Sequence, residues 1–332
     1  MLRCTVEVVW RPGLDRDLVE RRPRLRVATH LAPAVLPVYA IAARRSAERL
    51  GRSPELVVPG DYERCGADLD DVCFVCSVPY VLLAAEGAIG MDVVAAPVLR
   101  GNRYGGRPIY YSDVIVRAES RFRRFEDLHG ARWAYNEPYS HSGFVVALHH
   151  LATIGAGPSF LGASIEAGYH DDAIRLVLAG GADWAAIDSQ VLWIWERRDP
   201  SLRRRLRVVA TLGPSTIQPV VASTTRLSPD ERVGVRAALV DLARDPLARP
   251  LLDGAGIERF AATSDADYAD IRRMLATVEA AGLLPAWWWP RWRATVGPGV
   301  SGRSPERAGS SRPRRRPHRT RRSSPRPSRP LS

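Results

Sequence analysis

The chain has 332 residues, 45% hydrophobic and 25% charged, which is enough for a sizeable core and roughly two domains. Of its formal charge of +12, residues 301–332 hold +10, from 11 Arg against one Glu. The rest is nearly neutral, which argues against nucleic-acid binding by the folded part. No lysine occurs, which excludes Schiff-base and P-loop lysine chemistry, and no apolar run is long enough for a membrane-spanning helix.

Residues 1–24 read as a charged leader. Glu7, Arg11, Asp15, Arg16, Asp17 and Glu20 break the first 26 residues, leaving no apolar core of a signal peptide. Residues 25–29 predict a strand, and 33–50 a loop and helix stopped by Gly51. Strands are expected at 56–58 and 71–76, and then a helix to Glu86 capped by Ser77 with Pro79 in its first turn. Residues 91–99 and 109–117 read as strands around a turn-rich loop. A second alternating series follows. It has a helical turn at 125–128, strands near 133, 165–169, 184–187 and 206–211, a helix capped by Asp171 or Asp172, and a helix at 189–197. Gly213–Pro214 marks a loop before a strand at 220–223. Helices at 229–243 and 268–281 close the ordered part. The cluster Trp287, Trp288, Trp289 and Trp292 then leads into an Arg/Pro/Ser tail that cannot bury a core and is expected to be disordered. Strands alternating with helices imply α/β sheets, and two such series imply two lobes.

Four cysteines occur, Cys4, Cys65, Cys73 and Cys76. The last two have C-x-x-C spacing, but a second pair at zinc spacing is missing and the run 72–75 is apolar. On a strand these two thiols face opposite ways, so they read as buried structural groups. No metal or cofactor is expected.

Residues 133–155 combine a short strand, a hydroxyl-rich loop and a helix. Phe144, Val145, Leu148, Leu151 and Ala152 recur at helical spacing, and Gly155 suits the helix stop. Ser140, His141, Ser142 and Gly143 stand at its start. There, unpaired backbone N–H groups flanked by hydroxyls suit an anion. The alternative is that Ser140 or Ser142 simply caps the helix.

The runs DVCFVCSVPY (71–80), IYYSDVIV (109–116), FEDLHG (125–130), SHSG (140–143) and AIDS (186–189) occur in the order and approximate spacing of one family. Over residues 25–281 the chain resembles the phosphate/phosphite/phosphonate-type substrate-binding proteins of ABC transporters, which are type 2 periplasmic binding proteins. The resemblance implies an α/β two-lobed clamshell, with two mixed or parallel sheets flanked by helices and joined by two crossover segments. Lobe 1 would be discontinuous, residues 25–113 plus 221–284. Lobe 2 would be 114–220, with 285–332 outside both. The crossovers would lie near 113–117 and 219–223.

The resemblance also implies a small oxyanion in the cleft and, for the ligand site, Tyr80, Tyr111, Ser140, His141, Ser142, Gly143, His170 and Asp188. Gln218 and the loop 29–33 are further candidates. Asp188 either caps the helix beginning at Ser189 or meets a protonated or amine-bearing ligand, since a bare anion would be repelled. No catalytic residue is expected: adjacent Ser140 and His141 do not make a productive nucleophile and base. Capture of phosphate, phosphite or a phosphonate for an ABC permease is the implied function, with a periplasmic or cell-surface location. The leader keeps cytoplasmic residence open. The alternatives are a cytoplasmic ligand sensor on the same fold, or an enzyme like the thiamine pyrimidine synthase. The Trp and Arg segment suits acidic surfaces. If the core alone forms the site, deleting 291–332 leaves ligand affinity unchanged.

Overall fold

A computed structural model describes residues 23–59, 62–86 and 90–296. The expectations for the leader and for the Arg/Pro/Ser tail lie outside these described residues. The strands are β1 Arg24–Thr29, β2 Ser53–Val57, β3 Val72–Phe74, β4 Met91–Leu99, β5 Ile109–Arg117, β6 Trp133–Tyr135, β7 Ser164–Glu166, β8 Trp184–Asp188, β9 Leu206–Thr216, β10 Val220–Ser223 and β11 Ile257–Ala261. They form a six-stranded sheet in the order β11-β4-β10-β3-β1-β2 and a five-stranded sheet in the order β7-β6-β8-β5-β9. Both sheets are mixed. β1 runs parallel to β2 and β3, whereas β10 is antiparallel to β3 and β4. In the second sheet β6 is parallel to β7 and β8, and β5 is antiparallel to β8 and β9.

Each sheet is covered on both faces, and the central strands show it in their composition. All five positions of β8, Trp-Ala-Ala-Ile-Asp, are buried, as expected of a strand packed on two sides. The register Trp133↔Trp184 stacks two indoles at 5.2 Å and 7°. At about 25 cal/mol per Å² and about 200 Å² per ring, each is worth on the order of 5 kcal/mol of transfer free energy.

The helices are α1 Leu36–Arg49, α2 Glu63–Gly66, α3 Ser77–Glu86, α4 Val146–Thr153, α5 His170–Ala179, α6 Ser189–Arg198, α7 Leu202–Arg205, α8 Pro229–Asp241, α9 Arg249–Gly254, α10 Ala269–Ala280 and α11 Trp288–Val296. Local chemistry sets their ends. A 3₁₀ turn at Pro33–Val35 opens α1, and Gly51 follows it at φ +66°, a conformation that costs glycine nothing. Ser228 and Glu231 form a reciprocal capping box on α8.

Three expectations change. β5 pairs with β9 from Ile109 to Arg117, skipping Tyr111, so the chain leaves the first sheet before Ile109 rather than at 113–117. It returns through residues 217–219. β9 runs on through Gly213 and Pro214 to Thr216, where a loop was expected, because its register shifts opposite Tyr110 and Ser112 and absorbs the irregular residues. The Trp cluster is not outside the fold: α11 buries Trp288 and Trp292 completely.

Candidate functional site

A cavity of about 480 Å³ lies between the two sheets. The first sheet's side supplies Thr29, His30, Leu31 and Ala32 after β1, Tyr39 from α1, and Tyr62 and Cys76. The second supplies Asn136, Glu137, Tyr139, Ser140 and Ser142 after β6, Glu166, Gly168, Tyr169 and His170 around the end of β7, and Asp188 and Gln190 at the end of β8. Gln218, on the return passage, and Arg291 and Thr295 of α11 complete it. Most of these residues stand at or just past the carboxyl ends of parallel strands, where open α/β sheets bind ligands.

The loop after β6 becomes a π-helical turn, His141–Val145, that runs into α4. Such turns concentrate at functional positions. Ser140 is the N-cap: its Oγ accepts from Gly143 N–H at 3.0 Å. The His141 N–H points at Cys76 Sγ, 3.4 Å away. Two of the first N–H groups are therefore spent inside the protein, and what the helix start turns to the cavity is chiefly hydroxyl. Ser142 Oγ lies 2.9 Å from His170 Nε2, and Ser112 Oγ donates to the Ser142 carbonyl at 2.5 Å. Burial drives the His170 pKa down to about 3, so the ring is neutral and hands its Ser142 partner no charge. Gly143 is required by its neighbours: a Cβ there would stand 1.8 Å from Asn136 Oδ1 and 3.1 Å from His170 Cε1.

Asp188 caps its helix, as one of its two expected roles had it, and also faces the cavity. Its Oδ1 accepts from Gln190 N–H at 2.7 Å as the cap of α6, and its Oδ2 accepts from Gln218 Nε2 at 2.8 Å. Burial pushes its pKa up to about 6 against these donors. Glu137 is pushed up to about 7, again by burial, although Tyr62 donates to it at 2.8 Å. Arg291 meets Glu166 with two nitrogens at 2.7 and 2.6 Å. The described lining thus offers hydroxyls and an amide at one group of residues and two reluctant carboxylates at another, while its guanidinium is already paired.

Four of the expected residues do not line this cavity. Tyr80 is buried, its phenol donates to Asp265, and its ring meets Tyr268 edge-on at 5.1 Å. Tyr111 lies under the Arg103 guanidinium at 4.6 Å and donates to the Arg103 carbonyl at 3.2 Å. His141 turns inward, with Nε2 2.8 Å from Ser215 Oγ, and burial lowers its pKa to about 3. Gly143 stands behind Asn136. Conversely, Tyr39, Tyr62, Asn136, Glu137 and Arg291 were not foreseen. Asn136 and Glu137 carried a usable signal, since they follow directly on a parallel strand.

A family model described as ABC transporter, phosphonate, periplasmic substrate-binding protein matches residues 43–268. Among solved structures, a binding protein component of an ABC phosphonate transporter from Pseudomonas aeruginosa is 16% identical, with a TM-score of 0.68 over 82% of this chain and 94% of that one. PhnD1 from Prochlorococcus marinus, in complex with methylphosphonate, is 16% identical, with a TM-score of 0.66 over 77% and 98%. The alkanesulfonate-binding protein SsuA from Xanthomonas axonopodis pv. citri, bound to MOPS, is 19% identical, with a TM-score of 0.56 over 79% and 94%. At these identities the likeness speaks for the fold.

Proposed function

Because the chain belongs to the phosphonate-type periplasmic substrate-binding proteins of ABC transporters, we propose that its cavity takes a small phosphonate that also carries an amine. The family captures solutes for uptake and is not a family of enzymes. An exported location and an ABC permease as partner follow for this chain as parts of the same proposal.

The observation that carries the ligand assignment is Asp188, a buried carboxylate lining the same cavity as the Ser140 and Ser142 hydroxyls. Among the described lining residues the one guanidinium, Arg291, is paired with Glu166, so a dianion alone would meet Asp188 and Glu137 without an offset, and like charges in a buried site are costly. A zwitterion resolves this. Its phosphonate accepts from the hydroxyls, and its ammonium restores the ionised form of Asp188 that burial disfavours. Volume points the same way. About 480 Å³ far exceeds a bare tetrahedral oxyanion and lies in the ordinary range for small organic ligands. Binding would draw the two sheets together, since a ligand shifts an open–closed equilibrium only by touching both sides when closed.

Calorimetry with 2-aminoethylphosphonate, methylphosphonate, phosphate and sulfate tests this. The aminophosphonate should bind tightest. Asp188→Asn should weaken it by about tenfold or more, the scale of one lost charge-assisted bond, and change methylphosphonate little. Equal or tighter binding of methylphosphonate or phosphate, with no discrimination by Asp188→Asn, overturns the assignment.

A further inference from the structure

Beside the ligand cavity, three soft donors converge from three separate elements. His30 follows β1, Cys65 lies in α2 and Cys73 lies in β3. One ligating atom from each falls within 4.8 Å of the others. Two sulfurs on one tetrahedral zinc ion at about 2.3 Å stand about 3.8 Å apart, so atoms within 4.8 Å of one another need to close by at most about 1 Å to hold an ion. The geometry points to a site for a thiophilic d¹⁰ cation, zinc(II) or copper(I), at His30, Cys65 and Cys73.

The surroundings fix these side chains in place. The His30 N–H donates to the Phe74 carbonyl at 3.0 Å, and Ala28 pairs with Cys73 in the sheet, which ties the histidine loop to the cysteine strand. The His30 ring stacks on Tyr62 at 4.8 Å and 20°, and Tyr62 immediately precedes α2. Arg64 grips Asp70 with two nitrogens, bracing the turn between the two cysteines. Cys65 and Cys73 are buried. A separate void of about 10 Å³, room for about one water-sized species, is lined by Cys65, Cys73, Met91, Asp68, Asp70, Val221 and Ser223, and His30 stands outside it. The two thiols and the imidazole of the triplet suit soft cations and not magnesium or calcium.

Binding releases the two thiol protons to solvent; two thiolates with a neutral imidazole cancel zinc(II) fully and leave one negative charge with copper(I), while Asp70 is paired with Arg64. Cys76 takes no part, since its sulfur faces the His141 N–H. The C-x-x-C spacing is therefore not the metal motif; the pair that matters is Cys65 with Cys73. In the fold the ion would pin α2, which follows the cavity residue Tyr62, and the cavity-lining β1 loop onto the first sheet.

Titration of the reduced full-length chain with cobalt(II) provides the test. One equivalent should give an intense near-ultraviolet thiolate-to-cobalt band, bleached by zinc(II) or by copper(I) held in its reduced state. Whichever displaces cobalt at lower concentration is the better occupant. Cys65→Ser and Cys73→Ser should each lose most of the band. His30→Ala should keep a weaker one, with affinity lowered at least about tenfold, since even outer-shell partners of metal sites are worth that much. Absence of the band in the folded wild-type chain overturns the site. So does equal affinity in the double cysteine variant, or a Cys65–Cys73 disulfide found by mass spectrometry in unreduced protein from its own host.

Discussion

The Tyr62 phenol donates to Glu137 Oε1 at 2.8 Å, joining the residue before α2 to the loop after β6 across the cavity. The link has a pH dependence. Burial raises the Glu137 pKa to about 7 from an ordinary 4.5; Glu166 adds to the rise, while Tyr62 and Arg291 oppose it. A carboxyl whose folded-state pKa is raised costs nothing below its unfolded pKa and loses stability as pH climbs through the folded value. Wild-type Tm should therefore fall relative to Glu137→Gln between about pH 4.5 and 7, then stay level, with a gap on the order of 3 kcal/mol at the plateau. Asp188, raised to about 6, adds a fall of the same sign to both proteins. Parallel Tm curves for wild type and Glu137→Gln across that window would mean that Glu137 is hydrated and the bridge is not closed in solution.

Ser140 and Ser142 should each serve both fold and function. Ser140→Ala removes the cap on Gly143 N–H, about 1 kcal/mol of stability, as well as a hydroxyl facing the cavity. Ser142→Ala leaves the cap intact and loses the His170 contact. Both should weaken phosphonate binding by roughly 10- to 100-fold, one hydrogen bond to a charged group, and each should lower the Tm of the unliganded protein by the equivalent of about 1 kcal/mol, Ser140→Ala through the lost cap and Ser142→Ala through the lost His170 bond. Calorimetry and thermal melts of the two variants check this, and full affinity in Ser142→Ala would remove the helix start from the site.

Tyr80→Phe, Tyr111→Phe and His141→Gln should leave ligand affinity within about twofold of wild type, because none of these side chains lines the cavity. Tyr80→Phe deletes a bond to Asp265 and should cost about 1 kcal/mol of stability. A loss of binding in Tyr80→Phe without a change in Tm would return that phenol to the ligand.

The contrast shows what kind of information the residues hold. Strand ends were legible, because β-rich apolar runs followed by polar residues mark where parallel strands deliver their loops. Ser140, Ser142, His170 and Asp188, named through the family resemblance, stand just past such strands and do line the cavity. Side-chain direction was not legible. Tyr111 stands on a strand whose register shifts at Tyr110, so alternation alone does not tell which ring faces the cleft. His141 faces inward because Ser215, 74 residues away, offers it a hydroxyl. Glu137 and Tyr62 needed the packing of two distant loops, a tertiary fact without local periodicity.

α11 makes the last prediction, and it reverses the expectation that the chain beyond Arg291 is dispensable. Trp288 Nε1 donates to the Pro138 carbonyl at 2.8 Å and Trp292 Nε1 to Glu86 Oε1 at 3.1 Å. Tyr139 meets both indoles edge-on, at 5.2 and 5.0 Å. The helix therefore grips the loop after β6 on one side and the end of α3 on the other, with Arg291 on Glu166 at the cavity wall. Trp292→Ala should destabilise by about 3–5 kcal/mol, as for other large buried aromatics. Truncation after Val296 should leave Tm and phosphonate affinity unchanged, whereas truncation after Leu284 should lower both. Melts and calorimetry on the two truncations decide the matter, because a tail that merely adds charge would leave them alike. Equal behaviour would show that α11 rests on the cavity without holding it.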